Sequence, residues 1–191
     1  LLVCEHLALE ALAGQGIPAA RSRIVKGGGR VFLEVTRFDR SERGRVGMVS
    51  LMAYDNEYIG KIDNWANTAE RMAARNLLID SDADLLRFLE AFGILIGNTD
   101  RHYGNISLLI DGSSWRLAPV YDMLPMVYAP VAGELVERAF NPADAGPPLQ
   151  ALRQWPAARA LAARFWKTVA ADRRISAGFR EMAAAHAEAL G

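Results

Sequence analysis

One cysteine, three histidines and no surplus of either charge restrict what these 191 residues can be. Cys4 alone cannot close an intrachain disulfide or build a thiolate zinc site, so a reducing compartment, the cytoplasm, is expected. The 22 basic residues balance 22 acidic ones, which argues against a surface built to coat nucleic-acid phosphates and leaves only a local basic groove open. No apolar run is long enough for a bilayer. The most apolar stretch, 85–97, is short and carries Arg87 and Glu90, so no membrane association is expected. Neither GxxxxGK[ST] nor GxGxxG occurs. A basic segment with an apolar leader is also missing, as is an initiator Met, and the chain opens inside a helical pattern, as a piece of a longer protein would. What remains is 51% hydrophobic and 23% charged, a globular composition with enough chain for one or two domains.

The apolar spacing predicts a helix over 3–13, stopped by Gly14, Gly16 and Pro18. Two short β-prone runs, 21–26 and 30–36, flank Gly27-Gly28-Gly29 and read as a hairpin. Residues 41–66 show no clear period. A helical half follows. Asn67 and Glu70 have capping-box spacing ahead of Met72, Leu77 and Leu78. Ser81 or Asp82 is expected to cap the next helix, with Leu85, Phe88, Leu89, Phe92 and Ile96 on one stripe. Residues 106–110 and 115–118 read as strands around a turn at 111–114. A proline-rich loop spans 119–130, another loop spans 141–148, and two alanine-rich helices, 156–171 and 176–190, close the chain.

The chemistry concentrates between the buried helix and the second hairpin. The helix delivers the chain to a polar loop with Asp100, Asn105 opens a strand five residues later, and Asp122 follows the return strand. A hairpin brings its ends together, so Asn105 and Asp122 are expected to meet with Asp100 facing the same point. Two carboxylates and a carboxamide are hard oxygen donors suited to magnesium and phosphate. Phosphoryl transfer uses such a set, one carboxylate for the hydroxyl proton and the other two groups for the metal. Backbone needs alone also put Asp, Asn and Gly in turns.

At these residues the sequence resembles the HipA-like serine/threonine kinases. Thr99-Asp100-Arg101-His102-Tyr103-Gly104-Asn105 is similar to the family's TDGHAKN at Thr, Asp, His and Asn. Pro119-Val120-Tyr121-Asp122-Met123 resembles PFYDI, and Arg37-Phe38-Asp39-Arg40 resembles part of ERFDR. The resemblance covers roughly residues 3–130 and implies an α+β, protein-kinase-like fold. Residues 1–40 would be a partial small lobe with a β-hairpin remnant, and 41–191 a mainly helical catalytic lobe. It implies that Asp100 is the catalytic base, with His102 beside it, and that Asn105 and Asp122 hold Mg2+ on ATP. Phe38, Asp39 and Thr36 would lie at the nucleotide. Thr36 stands where the family has a glutamate, which leaves adenine to backbone contacts or weakens its selection. The family's upstream phosphate-contacting lysine has no counterpart, and Lys26 reads as a solvated residue at a hairpin tip.

The function implied is a bacterial, cytoplasmic Ser/Thr protein kinase acting on a protein substrate, the toxin of a toxin–antitoxin pair. Its partner would be a helix-turn-helix antitoxin, with DNA reached only through that partner or a fused segment. Two other readings stand beside it. One is a kinase-like sensor module of a DNA-binding regulator, inactive as this fragment; the other is a metal-dependent phosphodiesterase or nuclease, which needs further carboxylates for a second metal. His6 and His186 have no evident partners and read as structural or surface residues.

Overall fold

A computed structural model describes residues 1–134, 136 and 138–191. Helix α1 (Leu2–Ala13) buries Val3, Cys4, Leu7, Leu9 and Leu12. It is followed by β1 (Ser22–Gly27) and β2 (Arg30–Val35), an antiparallel pair in the register Ser22↔Val35 to Gly27↔Arg30. Gly28 and Gly29 both take positive φ, 56° and 71°, which a two-residue hairpin turn of this hand requires. Among the described residues this sheet has two strands, and Val31, Phe32 and Val35 are exposed on it. Lys26 is exposed beside the turn.

The stretch 41–66, opaque in sequence, contains several elements. The short strands β3 (Arg40–Ser41) and β4 (Gly44–Arg45) pair with each other. Strand β5 (Met48–Ser50) joins β6 (Ser107–Asp111), which pairs in turn with β7 (Ser114–Leu117). The second hairpin is therefore two strands of a three-stranded sheet. Ser50 ends β5 and caps α2 (Leu51–Tyr58), its hydroxyl accepting the Ala53 N–H at 3.2 Å.

The helical body is α3 (Trp65–Ala74), α4 (Asp80–Leu95), α5 (Trp155–Ala171) and α6 (Ala177–Leu190). Their shared core contains Trp65, Leu86, Leu89, Phe92, Phe165 and Trp166, all essentially inaccessible to water. The buried stripe of α1 joins the same core. Trp166 keeps its one polar group paired, donating Nε1–H to the Leu95 carbonyl at 3.2 Å. Among the described residues no helix is long and apolar enough to cross a membrane.

Both expected helix caps are corrected. Helix α3 starts at Trp65 and its cap is Asn64, whose Oδ1 accepts the Asn67 N–H at 2.8 Å. Asn67 and Glu70 thus lie inside the helix, and Glu70 pairs with Arg87 instead. Leu77 and Leu78 fall beyond its end. Helix α4 starts at Asp80, after Ile79, with no side-chain cap. Asp82 is drawn away by a tertiary partner. Its buried carboxylate accepts two N–H bonds from Arg116, at 2.9 and 3.1 Å, and the Leu117 backbone N–H at 2.9 Å. The first turn of α4 is thereby riveted to β7, the strand that leads to Asp122. Asp82→Ala is expected to leave a guanidinium and a backbone N–H without their acceptor and to cost about 2–4 kcal/mol of folding free energy, read by urea denaturation. A midpoint within error of the parent would show that this rivet does not hold the sheet.

Candidate active site

The polar loop is built on the end of α4. Gly97 has φ +72°, and its carbonyl accepts the Val127 N–H at 2.9 Å. A Cβ there would sit 2.8 Å from Val127 Cγ1 and 3.1 Å from the Phe140 ring, so only glycine lets the two segments approach this closely. Asn98 is fully buried. Its Oδ1 accepts the Asp100 N–H at 3.0 Å, and its Nδ2 donates to Met123 Sδ at 3.6 Å. One side chain thus orients the Asp100 backbone and touches the residue after Asp122. Tyr103 anchors the loop from below, its hydroxyl accepting the Asp63 N–H at 2.7 Å and bonding to Thr68.

Asn105 closes a short 3-10 turn, Tyr103–Asn105, and is buried. Its Nδ2 donates to the Asp100 carbonyl at 2.9 Å. Asp122 has a left-handed backbone, φ +54°, which Asp tolerates better than most residues and which turns its side chain out of the strand direction. Burial pushes the Asp122 carboxyl above the usual range. The charge of Asp100 adds to this, while His102 and the Asn105 carboxamide act in the opposite sense. The Asn105–Asp100 bond and the Asn98–Met123 contact place this loop beside the Asp122 segment. His102 belongs to the same loop. Its Nδ1 accepts the Gly104 N–H at 2.9 Å, so the neutral ring carries its proton on Nε2, which lies 3.7 Å from Asp100 Oδ1.

Glu5 was not expected here. Pro18 and Ala20 bond to both sides of the Val120 backbone, at 2.9 and 2.8 Å, and bring α1 against the Asp122 segment. Burial, with the Asp122 charge as a further cause, pushes the Glu5 carboxyl up to about 7, partly offset by the Asp122 backbone N–H. In sequence Glu5 stands out as a carboxylate in the first turn of α1, in Cys4-Glu5-His6, which opens the helix as an Asn/Asp-Glu start does in the resembling family. Glu5 and Asp100 each bear on Asp122, and such repulsion is what a divalent cation relieves. The donors fit a hard ion: carboxylate and carboxamide oxygens. Among the described residues no three His, Cys, Asp or Glu side chains form a cage by themselves, so an ion here depends on Asn105 and on oxygens brought by a phosphate.

Two pockets flank the loop. One, about 260 Å³ and mostly apolar, is lined by Thr36, Phe38, Asp39, Met48 and Tyr121 among others. The Phe38 and Tyr121 rings lie 5.7 Å apart. Tyr121 reaches from this pocket into the loop, donating to the Gly104 carbonyl at 2.8 Å and meeting Ser107 Oγ at 2.8 Å. Asp39 lines the pocket as half of an ion pair. Arg37 grips it through two bonds, 2.8 and 2.6 Å, and holds its carboxyl below the usual range. The second pocket, about 230 Å³, is polar and opens at Asp100, with Asn64, Glu90, Thr99, Arg101 and His102 around it.

The profile of the HipA-like C-terminal domain matches residues 2–190. The chain belongs to the HipA-like C-terminal domain family. It is 40% identical over 187 residues to Toxin YjjJ of Escherichia coli, covering 96% of this chain and 42% of that protein. It is 27% identical over 142 residues to the putative kinase Y4mE of Sinorhizobium fredii, covering 66% of this chain and 33% of the relative. The chain therefore spans less than half the length of these curated relatives. Among solved structures, HipA of Shewanella oneidensis, in complex with HipB and operator DNA, superposes with a TM-score of 0.66 at 17% identity, over 100% of this chain and 54% of that one. The Helicobacter pylori proinflammatory kinase CtkA superposes with a TM-score of 0.68 at 13% identity, over 99% and 79%. At such identities these two establish the fold: α+β and kinase-like.

Beyond Asp122 this HipA-like domain ties the chain to its last helix. His186 is buried in α6, and its Nε2 meets the Tyr128 hydroxyl at 2.6 Å. The ring packs against Trp166 and Phe140, at 4.8 and 5.5 Å between centroids. His6 is likewise partnered, Nδ1 to Ser22 Oγ at 3.0 Å, which links α1 to β1. Neither histidine is the unpartnered residue its helix suggested: Ser22 and Tyr128 lie far off in sequence, and His6 also faces Glu10 one turn along at 3.5 Å. Burial holds the His186 imidazole below its ordinary value. The unfolded chain therefore takes up a proton before the folded one. This contribution to stability is whole above the ordinary imidazole pKa, about 6.5, and is lost as pH falls below it. Unfolding free energies measured from about pH 7.5 to about pH 5 are expected to fall more steeply for the parent than for His186→Gln. Parallel curves would remove His186 from the acid sensitivity.

Proposed function

We propose that this domain is the catalytic part of a Ser/Thr protein kinase and transfers the γ-phosphate of ATP to a protein hydroxyl. The observation that supports this reading is the Asn105–Asp100 bond, in a loop that Asn98 joins to the Asp122 segment through Met123, with an apolar and a polar pocket beside it. The apolar pocket at Phe38 and Tyr121 suits an adenine face, with Thr36 and Asp39 on its wall. Asp39 is committed to Arg37, so its part there is to shape the wall. The polar pocket at Asp100 suits the acceptor side chain. Residues 1–40 would belong to the nucleotide side and 41–191 to the catalytic side, and the reaction, drawing on ATP, would run in the cytoplasm.

Asp100 accepts the proton of the attacking hydroxyl as its oxygen bonds to the γ-phosphorus and the bond to the bridging oxygen of ADP breaks. His102, held by Gly104, presents Nε2–H toward Asp100 and keeps its carboxylate turned to the cleft. Asn105 and Asp122 would hold Mg2+, which when bound neutralises phosphate charge. The toxin role extends to this chain from its likeness to YjjJ and HipA, and an antitoxin of the HipB kind, with DNA reached through it, from the company in which HipA was solved.

In the full-length protein, Asp100→Ala is expected to lower phosphate transfer from ATP by at least about 10³-fold while leaving a thermal shift with magnesium and ATP. Asp122→Ala is expected to abolish that shift as well. Undiminished transfer by Asp100→Ala would sink the reading.

A further inference from the structure

Arg101 stands where the family pattern carries glycine, and the structure gives it a defined task. Its stem crosses the face of α4 at Gly93, where an added Cβ would lie 2.6 Å from Arg101 Cδ. Its Nε donates to Glu90 Oε1 at 3.1 Å, and its Nη1 donates to the Asn98 carbonyl. Glu90 is a carboxylate only 3% exposed at its side chain. Its other oxygen, Oε2, accepts the Trp65 N–H at the start of α3, at 3.0 Å. One guanidinium therefore spans a buried carboxylate and the first carbonyl of the loop, while Asn98 holds the Asp100 N–H from within. The loop 98–101 is closed on both sides of Asp100.

We infer that Arg101, acting through Glu90 and the Asn98 carbonyl, is the positioning residue that sets Asp100 and shapes the acceptor pocket beside it. The inference rests on the kinase reading above and goes beyond it. Both Glu90 and Arg101 line the polar pocket with Asn64, Thr99 and His102, and neither lines the apolar pocket at Phe38. The clamp thus bears on the hydroxyl acceptor and the base rather than on the nucleotide. The buried Glu90 carboxylate needs a cation, and the planar fork of arginine can serve an oxygen on each side at once. Lysine brings the charge but only one compact head, so it can neutralise Glu90 without also closing the loop.

The test uses the full-length protein with magnesium, ATP and a Ser/Thr peptide array as acceptor. Arg101→Lys is expected to lower kcat by about 10- to 100-fold with the KM for ATP unchanged. Arg101→Ala is expected to lose more than Arg101→Lys, and Glu90→Gln to show the same split. Full kcat in Arg101→Lys and Glu90→Gln, with Asp100→Ala inactive, overturns the positioning role and leaves the kinase reading intact. Transfer that survives Asp100→Ala overturns the kinase reading instead. Amide hydrogen exchange reads the clamp without any activity. Arg101→Ala is expected to exchange about tenfold faster at the Asp100 amide, with the α5 amides unchanged. Equal exchange at Asp100 in parent and variant overturns the inference, and acceleration throughout α5 as well assigns Arg101 to general stability and overturns it too.

Discussion

The contact between the end of α4 and the segment after Asp122 is the constraint on which the rest of the structure depends. Gly97 lets Val127 and Phe140 reach its backbone, and Asn98 touches Met123 while holding the Asp100 N–H. Asp100 and Asp122 come from segments that run in different directions and are separated by a whole hairpin. Unless α4 and the later segment touch here, the two carboxylates share no cleft. Asn98 is fully buried, and its polar atoms find partners on both segments, so its satisfaction depends on both being in place. Removing either segment would leave a buried amide group unpaired.

Around this contact the fold invests in rigidity from several sides. Asp82 fixes the start of α4 to β7, and Tyr103 fixes the loop to the Asp63–Thr68 stretch ahead of and within α3. Tyr128 and His186 fix the segment beyond Asp122 to α6. Each tie uses a buried polar group with its hydrogen bonds made, a kind of contact that specifies geometry more than it adds stability. The apolar core carries the stability, with Trp65, Phe92 and Trp166 packed between α3, α4 and α5. The β1–β2 hairpin is tied in through Ile24 and the His6–Ser22 bond, and it keeps apolar residues on its exposed face.

Crowding of carboxyls is the electrical counterpart of this rigidity. Glu5 and Asp100 each bear on Asp122, and burial raises Glu5 and Asp122 above their usual range. A folded protein tolerates such a cluster when the site is used, and phosphate chemistry with a divalent ion gives it a use.

Much of the fold was legible along the chain. The α1 stripe, the Gly28-Gly29 hairpin, the α4 stripe and the two closing helices are local patterns, and period and turn chemistry report them directly. The second hairpin, with Asn105 before it and Asp122 after it, was legible for the same reason. The caps of α3 and α4 were not, because Asp82 and Glu70 found distant arginines that local rules do not see. The strand β5 was hidden because three residues show no period. Glu5, Asn98, Tyr121 and the Arg101–Glu90 pair were hidden because their roles arise only when α1, α3, α4 and the Asp122 segment meet. By itself, then, the sequence determined the elements, the family and the residues of the loop. Which buried polar groups would hold that loop, and which carboxyls would face one another, only the tertiary structure decided, since those partners lie far apart in the chain.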